Sequence, residues 1–394
     1  MAHLKVTVMA LMILVTAGGV VFAQDTSVNG QVIEKFDNGQ VKAEKTYRQG
    51  VLYGPFREYY PGGKLLSVGA YKDGELNGVY KSYYEDGSVY LEKNFAEGKL
   101  HGVAKEFYED DQPKSIENYV YDTLDGLNLY FYSNGNLKMA MNFKNGKLHG
   151  LNREYTPDGL LKNEINYEDD HIEGVSKEYD KDGSLSAMWT YKMDQKDGPS
   201  KTFYEDGRVE WELNFKNGSL EGLNKKYSPE GQLLIEANYK DNQFDGPLKE
   251  FYPNGIIKSE CVYKNGKKEG PASEYHSNGK VWVQWQFQND HKEGVAQEYT
   301  ADGILWMTVT FKDNVKSGTM KEFYENGAVK QEWQVEQGKP QGASQSFYPD
   351  GKLMSEENYK DGHLDGTVRI YNKEGNLFYI DTYQDGVKIS RSNP

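Results

Sequence analysis

The chain has one cysteine, Cys261, in 394 residues. No intramolecular disulfide can form, so stability must come from burial and not from cross-links. Beyond residue 23 no apolar stretch is long enough to span a membrane. Basic charge is short as well: 46 Lys and Arg stand against 60 Asp and Glu, a net charge of −14. That balance disfavours nucleic acid and anionic lipid head groups as partners, because both need a basic surface. No catalytic constellation, cofactor motif or metal-ligand spacing stands out, so no catalytic residue, cofactor or metal is assigned.

What is there is glycine on a lattice. Gly30, Gly54, Gly78, Gly102 and so on to Gly366 recur every 24 residues without a spacing error, and a fixed period of this length means a repeat array. Two further registers share the period, one from Gly39 through Gly63 to Gly375, the other from Gly50 through Gly74 to Gly386. All but four of the 42 glycines fall in these three sets. Glycine here is backbone geometry and not linker flexibility.

Substitutions show what the backbone does at each register. The Gly50 register is replaced only by Asp122, Asp170, Asp194, Asn242, Asp290 and Asn314, the residue types that best tolerate a left-handed conformation. The Gly63 register follows Asp or Asn in many repeats, as at Asp86-Gly87 and Asn254-Gly255, a hairpin signal. Proline at the first loop position, at Pro61, Pro157, Pro229, Pro253 and Pro349, excludes a type I′ turn there and favours a type I turn followed by a left-handed glycine. Three-residue loops with a G1 bulge follow. The Gly54 register accepts neither Asn nor Asp, which points to close backbone approach or to a conformation open only to glycine.

Each repeat therefore holds two short strands, read as Pro55 to Tyr60 and Lys64 to Lys72. Tyr59 and its equivalents are aromatic from the second repeat on and are expected to form a core stripe, paired across the loop with Leu65. Period-two alternation places Leu65 and Tyr71 on that same face, with Glu58 and Tyr60 opposite. Arg57, Lys81 and their equivalents alternate onto the core face, where their stems cover aromatic surface. The predicted fold is all-β: an elongated array of 24-residue β-hairpin repeats forming a continuous, twisted antiparallel meander sheet. Fifteen repeats cover 31–390, followed by a tail at 391–394, with thirty strands spanning on the order of 140 Å. Asp111 and Pro113 break the pattern in one hairpin, so a kink or fraying is expected near 109–126.

The repeat written Gly-x4-[Phe/Tyr]-Tyr-x-[Asp/Asn]-Gly-x-[Leu/Val]-x5-[Tyr/Phe]-x2-Gly-x3-Gly, clear from Gly78 to Val89, resembles the variant MORN repeat of bacteria, including the YwqK-type antitoxin family. The resemblance covers residues 31–390. It implies hairpin arrays used as interaction scaffolds, and the antitoxin branch implies capture of a toxin. The motif defines no catalytic residues.

At the amino end, Lys5 precedes a largely apolar run from Val6 to Phe22, closed by Val21-Phe22-Ala23. This reads as a signal peptide over 1–23, cleaved after Ala23, with an uncleaved anchor as the alternative and 24–30 as a short leader. Gln24 in place of cysteine argues against a lipoprotein. Export to the periplasm or beyond is expected.

His101 and His149 are equivalent positions about 19 Å apart at ~4.8 Å per strand, too far for one metal. They and His171, His291 and His363 read as turn residues. The acidic turns Glu109-Asp110-Asp111 and Glu168-Asp169-Asp170 lack the ligand spacing of a calcium loop. Paired carboxylates recur in most repeats, so none marks a glycosidase. One local departure is a candidate for partner binding: Trp282 and Trp306 occupy the same position in adjacent repeats, with Trp285 and Met307 adding bulk beside them. Volume exchange is the competing reading, because these repeats carry His276 and Thr300 where others have the Tyr60-type aromatic. Two functions are open: an exported, non-enzymatic scaffold binding a protein or glycan, or an antitoxin or immunity protein. Edge strands at the ends also allow end-to-end self-association.

Overall fold

The computed structural model describes residues 28–393; the expected signal segment 1–23 lies outside them. The described residues form 41 β-strands and no helix. They fall into two compact units, 28–148 with 157–159, and 149–156 with 160–393. Within each unit the strands form an antiparallel meander, as from Val41–Arg48 through Val51–Tyr59 to Leu65–Lys72. The strand number exceeds thirty because the first strand of most repeats is interrupted: Glu75–Leu76 and Gly78–Tyr83 form one extended run broken at Asn77. In Val51–Tyr59 that run is continuous.

The interruption is a bulge. Val68 pairs with Lys81, while Tyr71 pairs with Leu76, so the first strand carries two more residues than its partner over the interval. The Gly54-register glycine takes up the excess at φ between 68° and 112°, a range open almost only to glycine. Close approach adds to this: a Cβ placed on Gly198 or Gly318 would lie 3.2 Å from the methyl of Thr190 or Thr310. That threonine braces the bulge, with Thr310 Oγ1 donating to the Thr319 carbonyl at 2.7 Å. Asn94 does the same through Nδ2 to the Val103 carbonyl at 2.7 Å.

Both turns follow from their residues. Gly63 N–H donates to the Tyr60 carbonyl and Tyr60 N–H to the Lys64 carbonyl, each at 2.8 Å, which closes the expected three-residue loop and pairs Tyr59 with Leu65. The second turn, Asp73-Gly74, has φ of 51° and 87°, both positive, as a two-residue type I′ hairpin requires. Where Asp or Asn replaces that glycine, the side chain gains a role. Asp194 Oδ1 accepts the Ile172 N–H, and Asn242 Oδ1 the Leu220 N–H, both at 2.7 Å. At the irregular hairpin Asp111 adopts φ 63°, and pairing runs on from Pro113–Phe107 to Tyr119–Gly102; the pattern break does not open the ladder.

The assignment of faces is corrected by the structure. Glu58 pairs with Ser67 but Tyr59 with Leu65, so Leu66 is one residue in excess and alternation inverts at that point. Leu65 stays with Tyr59, whereas Tyr71 joins Phe56 and Glu58 on the other face, its ring 4.9 Å from that of Phe56. The expected Tyr59 core stripe is only half-buried. The deepest register is that of Phe56, where Ala104, Asn128, Ser200, Asn224, Ala296 and Met320 are all 5% exposed or less. Size is traded across this face: Phe56 lies opposite Gly69, and Trp285 opposite Ala272.

The Tyr59 face is a polar network instead. Lys201 pairs with Glu212 at 2.9 Å and Lys321 with Glu332 at 3.0 Å, so these cations are ion-pair partners as well as stems. Tyr227 donates its hydroxyl to Glu212 at 3.0 Å, and Tyr179 to Glu164 at 3.1 Å. Burial pushes Glu164 up, but hydrogen bonds from Arg153, Lys177 and Tyr179 outweigh it and hold the carboxyl below its usual value. Each exposed pair contributes about 0.2–1 kcal/mol within its own hairpin, and the Tyr179 and Tyr227 hydroxyls tie their hairpins to the preceding ones.

Candidate functional site

The structure separates the four residues singled out at the tryptophan pair. Trp282 and Trp306 occupy the excess position of the second strand, equivalent to Leu66, beside the Tyr60 register. Trp282 is 47% exposed and tilts against the His276 ring, centroids 6.0 Å apart; Trp306 is half-buried. Trp285 and Met307 lie deeper on the same face. Met307 packs on the cluster of Val309, Met320 and Val335, and the Trp285 ring lies 6.5 Å from Phe287. Two of the four thus supply packing, leaving Trp282 as the displayed ring.

The Tyr60 register beside the tryptophans differs from repeat to repeat in how it bonds. Tyr60, Tyr204 and Tyr324 each donate a hydroxyl hydrogen bond of 2.8 Å to a carbonyl 23 residues onward, at Tyr83, Tyr227 and Phe347. Each such bond clips one repeat to the next. His276 places Nε2 at 3.2 Å from the Tyr299 carbonyl in the same way. Ser228 and Thr300 cannot reach that far, and each accepts a backbone N–H of its own turn instead.

A second departure lies at the far end of the same strands, and reading by motif missed it. The position paired with the Tyr71-type aromatic is leucine in Leu76, Leu100, Leu124, Leu220 and Leu364. In three consecutive repeats it is Lys268, Lys292 and Lys316, paired with Tyr263, Phe287 and Phe311. Lys292 Nζ stands 4.3 Å over the Trp285 ring and 5.5 Å from that of Phe311, and Lys268 Nζ stands 5.3 Å from Phe287. Burial, together with Lys268 and Lys316, pushes Lys292 below the usual lysine value against the pull of Glu274 and Glu298. The signal was present in the sequence as three lysines in consecutive repeats of a register that otherwise carries lysine only singly, at Lys196 and Lys388; it was hidden because the register looked structural.

Among the described residues no group of His, Cys, Asp and Glu converges to hold a metal ion. His171 and His291 each face one aspartate, Asp194 at 2.7 Å and Asp313 at 3.3 Å. Concavities are open and shallow: about 480 Å³ beside Tyr348, Tyr371, Phe378 and Tyr379, and about 400 Å³ beside Ser344, Glu356 and Arg369.

This geometry agrees with a family pattern. The MORN repeat variant matches at 28–49, 52–73, 76–97, 100–121, 124–145, 172–193, 196–217, 220–241, 244–265, 268–289, 292–313, 316–337, 340–361 and 364–385. The chain belongs to the MORN repeat variant family. The stretch between the fifth and sixth matches folds alike, with Gly150–Tyr155 paired to Leu161–Glu168. No curated protein matches the chain. Among solved structures it is similar to TcdB2-TccC3-TEV, at 12% identity and a TM-score of 0.15, covering 90% of this chain and 24% of that one. TcdB2-TccC3-Cdc42 is similar at 12% identity and a TM-score of 0.14, covering 92% of this chain and 21% of that one. The chain spans about a quarter of the length of these structures, and at such TM-scores the likeness carries no argument.

Proposed function

We propose that this MORN array is an exported, non-enzymatic scaffold that binds a protein partner through its ribbed β-surface, with glycans as the second ligand class it can take. One observation carries the reading. The titratable side chains of most repeats serve the same internal bonds, such as Lys201–Glu212, Lys321–Glu332 and Tyr227–Glu212. Departures from the pattern gather in 267–316 as aromatic rings and lysines. Surface that departs from a repeat without serving it is where recognition is expected.

The test is affinity capture with residues 24–394 against envelope and secreted fractions, beside a Trp282→Ala, Trp306→Ala double variant. A protein retained by the native array and lost by the folded variant supports the reading and places contact at the tryptophans. Retention by both moves the contact elsewhere on the array. Retention of nothing by either removes the stable-binder reading, and a lone toxin in one-to-one complex would make the chain an immunity protein. Amino-terminal sequencing of the exported form checks processing after Ala23.

A further inference from the structure

We propose that Lys268, Lys292 and Lys316 form a binding track for an acidic polysaccharide in which charged sugars alternate with neutral ones. The proposal rests on the scaffold reading above and names a ligand class and its site. Three observations carry it.

The first is spacing. The lysines recur once per repeat and the strands carrying them belong to one compact unit. Two strands separate successive lysines, so the ammonium groups are offered about every 10 Å along the hydrogen-bonding direction. A β-strand peptide cannot match this from one side, because every third residue alternates between faces. A nucleic acid strand, with a phosphate about every 3.4 Å, is too dense.

The second is the absence of internal partners. Most lysines on the Tyr59 face reach a carboxylate, as Lys201 reaches Glu212. Among the described residues none of Lys268, Lys292 and Lys316 has a carboxylate within ion-pair distance, and the ammonium groups of Lys268 and Lys292 lie over Phe287 and Trp285. Leucine satisfies the same position elsewhere in the array, so packing alone does not call for lysine. The half-burial of Lys268 and Lys292 makes an approaching anion more strongly felt than at a solvated side chain.

The third is what flanks the track. Glu274 and Glu298 are the nearby acids that act on Lys292. They repel a densely charged polyanion or an anionic membrane, yet their carboxylates accept hydrogen bonds from hydroxyl groups. Sparse anionic charge, hydroxyl groups between the charges and an apolar floor from Phe287, Phe311 and Trp285 together describe a uronic-acid-type glycan. The overall negative charge does not oppose this, because distant acids are screened beyond about 8–10 Å at physiological salt.

The probe is hyaluronan, which carries one carboxylate per disaccharide, with dextran, polyglutamate and phosphatidylserine vesicles as comparators. Native protein of residues 24–394 is expected to bind hyaluronan with an affinity that falls as salt rises, and to leave dextran unbound. The Lys268→Leu, Lys292→Leu, Lys316→Leu variant restores the leucine of other repeats and is expected to lose affinity by on the order of 10- to 100-fold. A triple glutamine variant, which removes charge without adding apolar surface, should lose as much. Lys196 is an isolated lysine of the same register, its Nζ 3.0 Å from the Trp189 ring centroid, so Lys196→Leu should leave binding unchanged. No hyaluronan binding by the native protein, or equal binding by the triple variants, overturns the proposal. Equal, lysine-dependent binding of polyglutamate or vesicles overturns the sugar assignment. A protein retained in the capture experiment while hyaluronan is not bound would sink the track and leave the scaffold reading standing.

Discussion

The repeats around Ser200 and Asn224 and those around Ala296 and Met320 share one backbone plan but fill its deepest register with opposite chemistry. In the first region the buried side chains are polar, and they answer the bulge. Asn224 Oδ1 accepts the Asn214 N–H at 2.7 Å and Ser200 Oγ accepts the Thr190 N–H at 3.2 Å, satisfying backbone donors that the two-residue excess takes out of the ladder. In the second region Met320 joins Val309 and Val335, with Met307, Phe311 and Trp333 packed against them. The polar solution acts within one bulge, whereas the apolar one gathers side chains from successive repeats. An array of this kind can vary its core repeat by repeat, because each hairpin answers mainly to its neighbours.

The largest effect that would sharpen this contrast is expected for Met320→Ala. Removing its side chain from the cluster should cost about 2–4 kcal/mol, read in urea unfolding and as faster hydrogen exchange over 305–347. A cost near zero would mean the cluster adds no cohesion. Asn224→Ala comes next, at about 1–2 kcal/mol, because it leaves a buried N–H without its acceptor. Here the effect should be narrow: the amide of Asn214 exchanges faster while the repeats around Met320 keep their protection. Unchanged exchange at Asn214 would refute the capping role.

A smaller effect separates the two ways of ending a hairpin. Tyr324→Phe deletes the hydroxyl bond to the Phe347 carbonyl and should cost about 1 kcal/mol, felt in the following repeat. Thr300→Ala should cost no more, and only in its own turn, whose Ile304 N–H it caps. Equal spread of the two effects would dissolve the distinction.

The smallest effect is confined to Val387–Ser392. Asp381 accepts two hydrogen bonds from Arg391, at 2.7 and 2.9 Å, and pairs with Lys388 at 2.7 Å. The Arg391 hydrogen bonds, with Lys388, hold its carboxyl well below the usual carboxylate range. A carboxyl depressed in the folded state stabilises it fully above the unfolded value of about 3.9 and loses that contribution as pH falls through the folded value. Exchange protection of 387–392 should therefore persist from pH 7 to 5 and decline below pH 4. Constant protection to pH 2 would show the pair contributes nothing to holding this strand.

Four features could be read from the residues: the 24-residue period, the three-residue loop that pairs Tyr59 with Leu65, the left-handed turn at the Gly50 register and the family. Each rests on backbone conformations that only glycine, asparagine, aspartate or proline select, and those residues are visible as letters. The lysine track at Lys268, Lys292 and Lys316 was legible only as an unexplained departure, since lysine in a leucine register has no meaning until the rings beneath it are placed. Tertiary structure alone decided which face is deep. One excess residue at the Leu66 position inverts the alternation between Leu65 and Tyr71, and a strict period of two cannot reveal such an inversion, because the bulge is set by pairing across the hairpin and not by any residue in it.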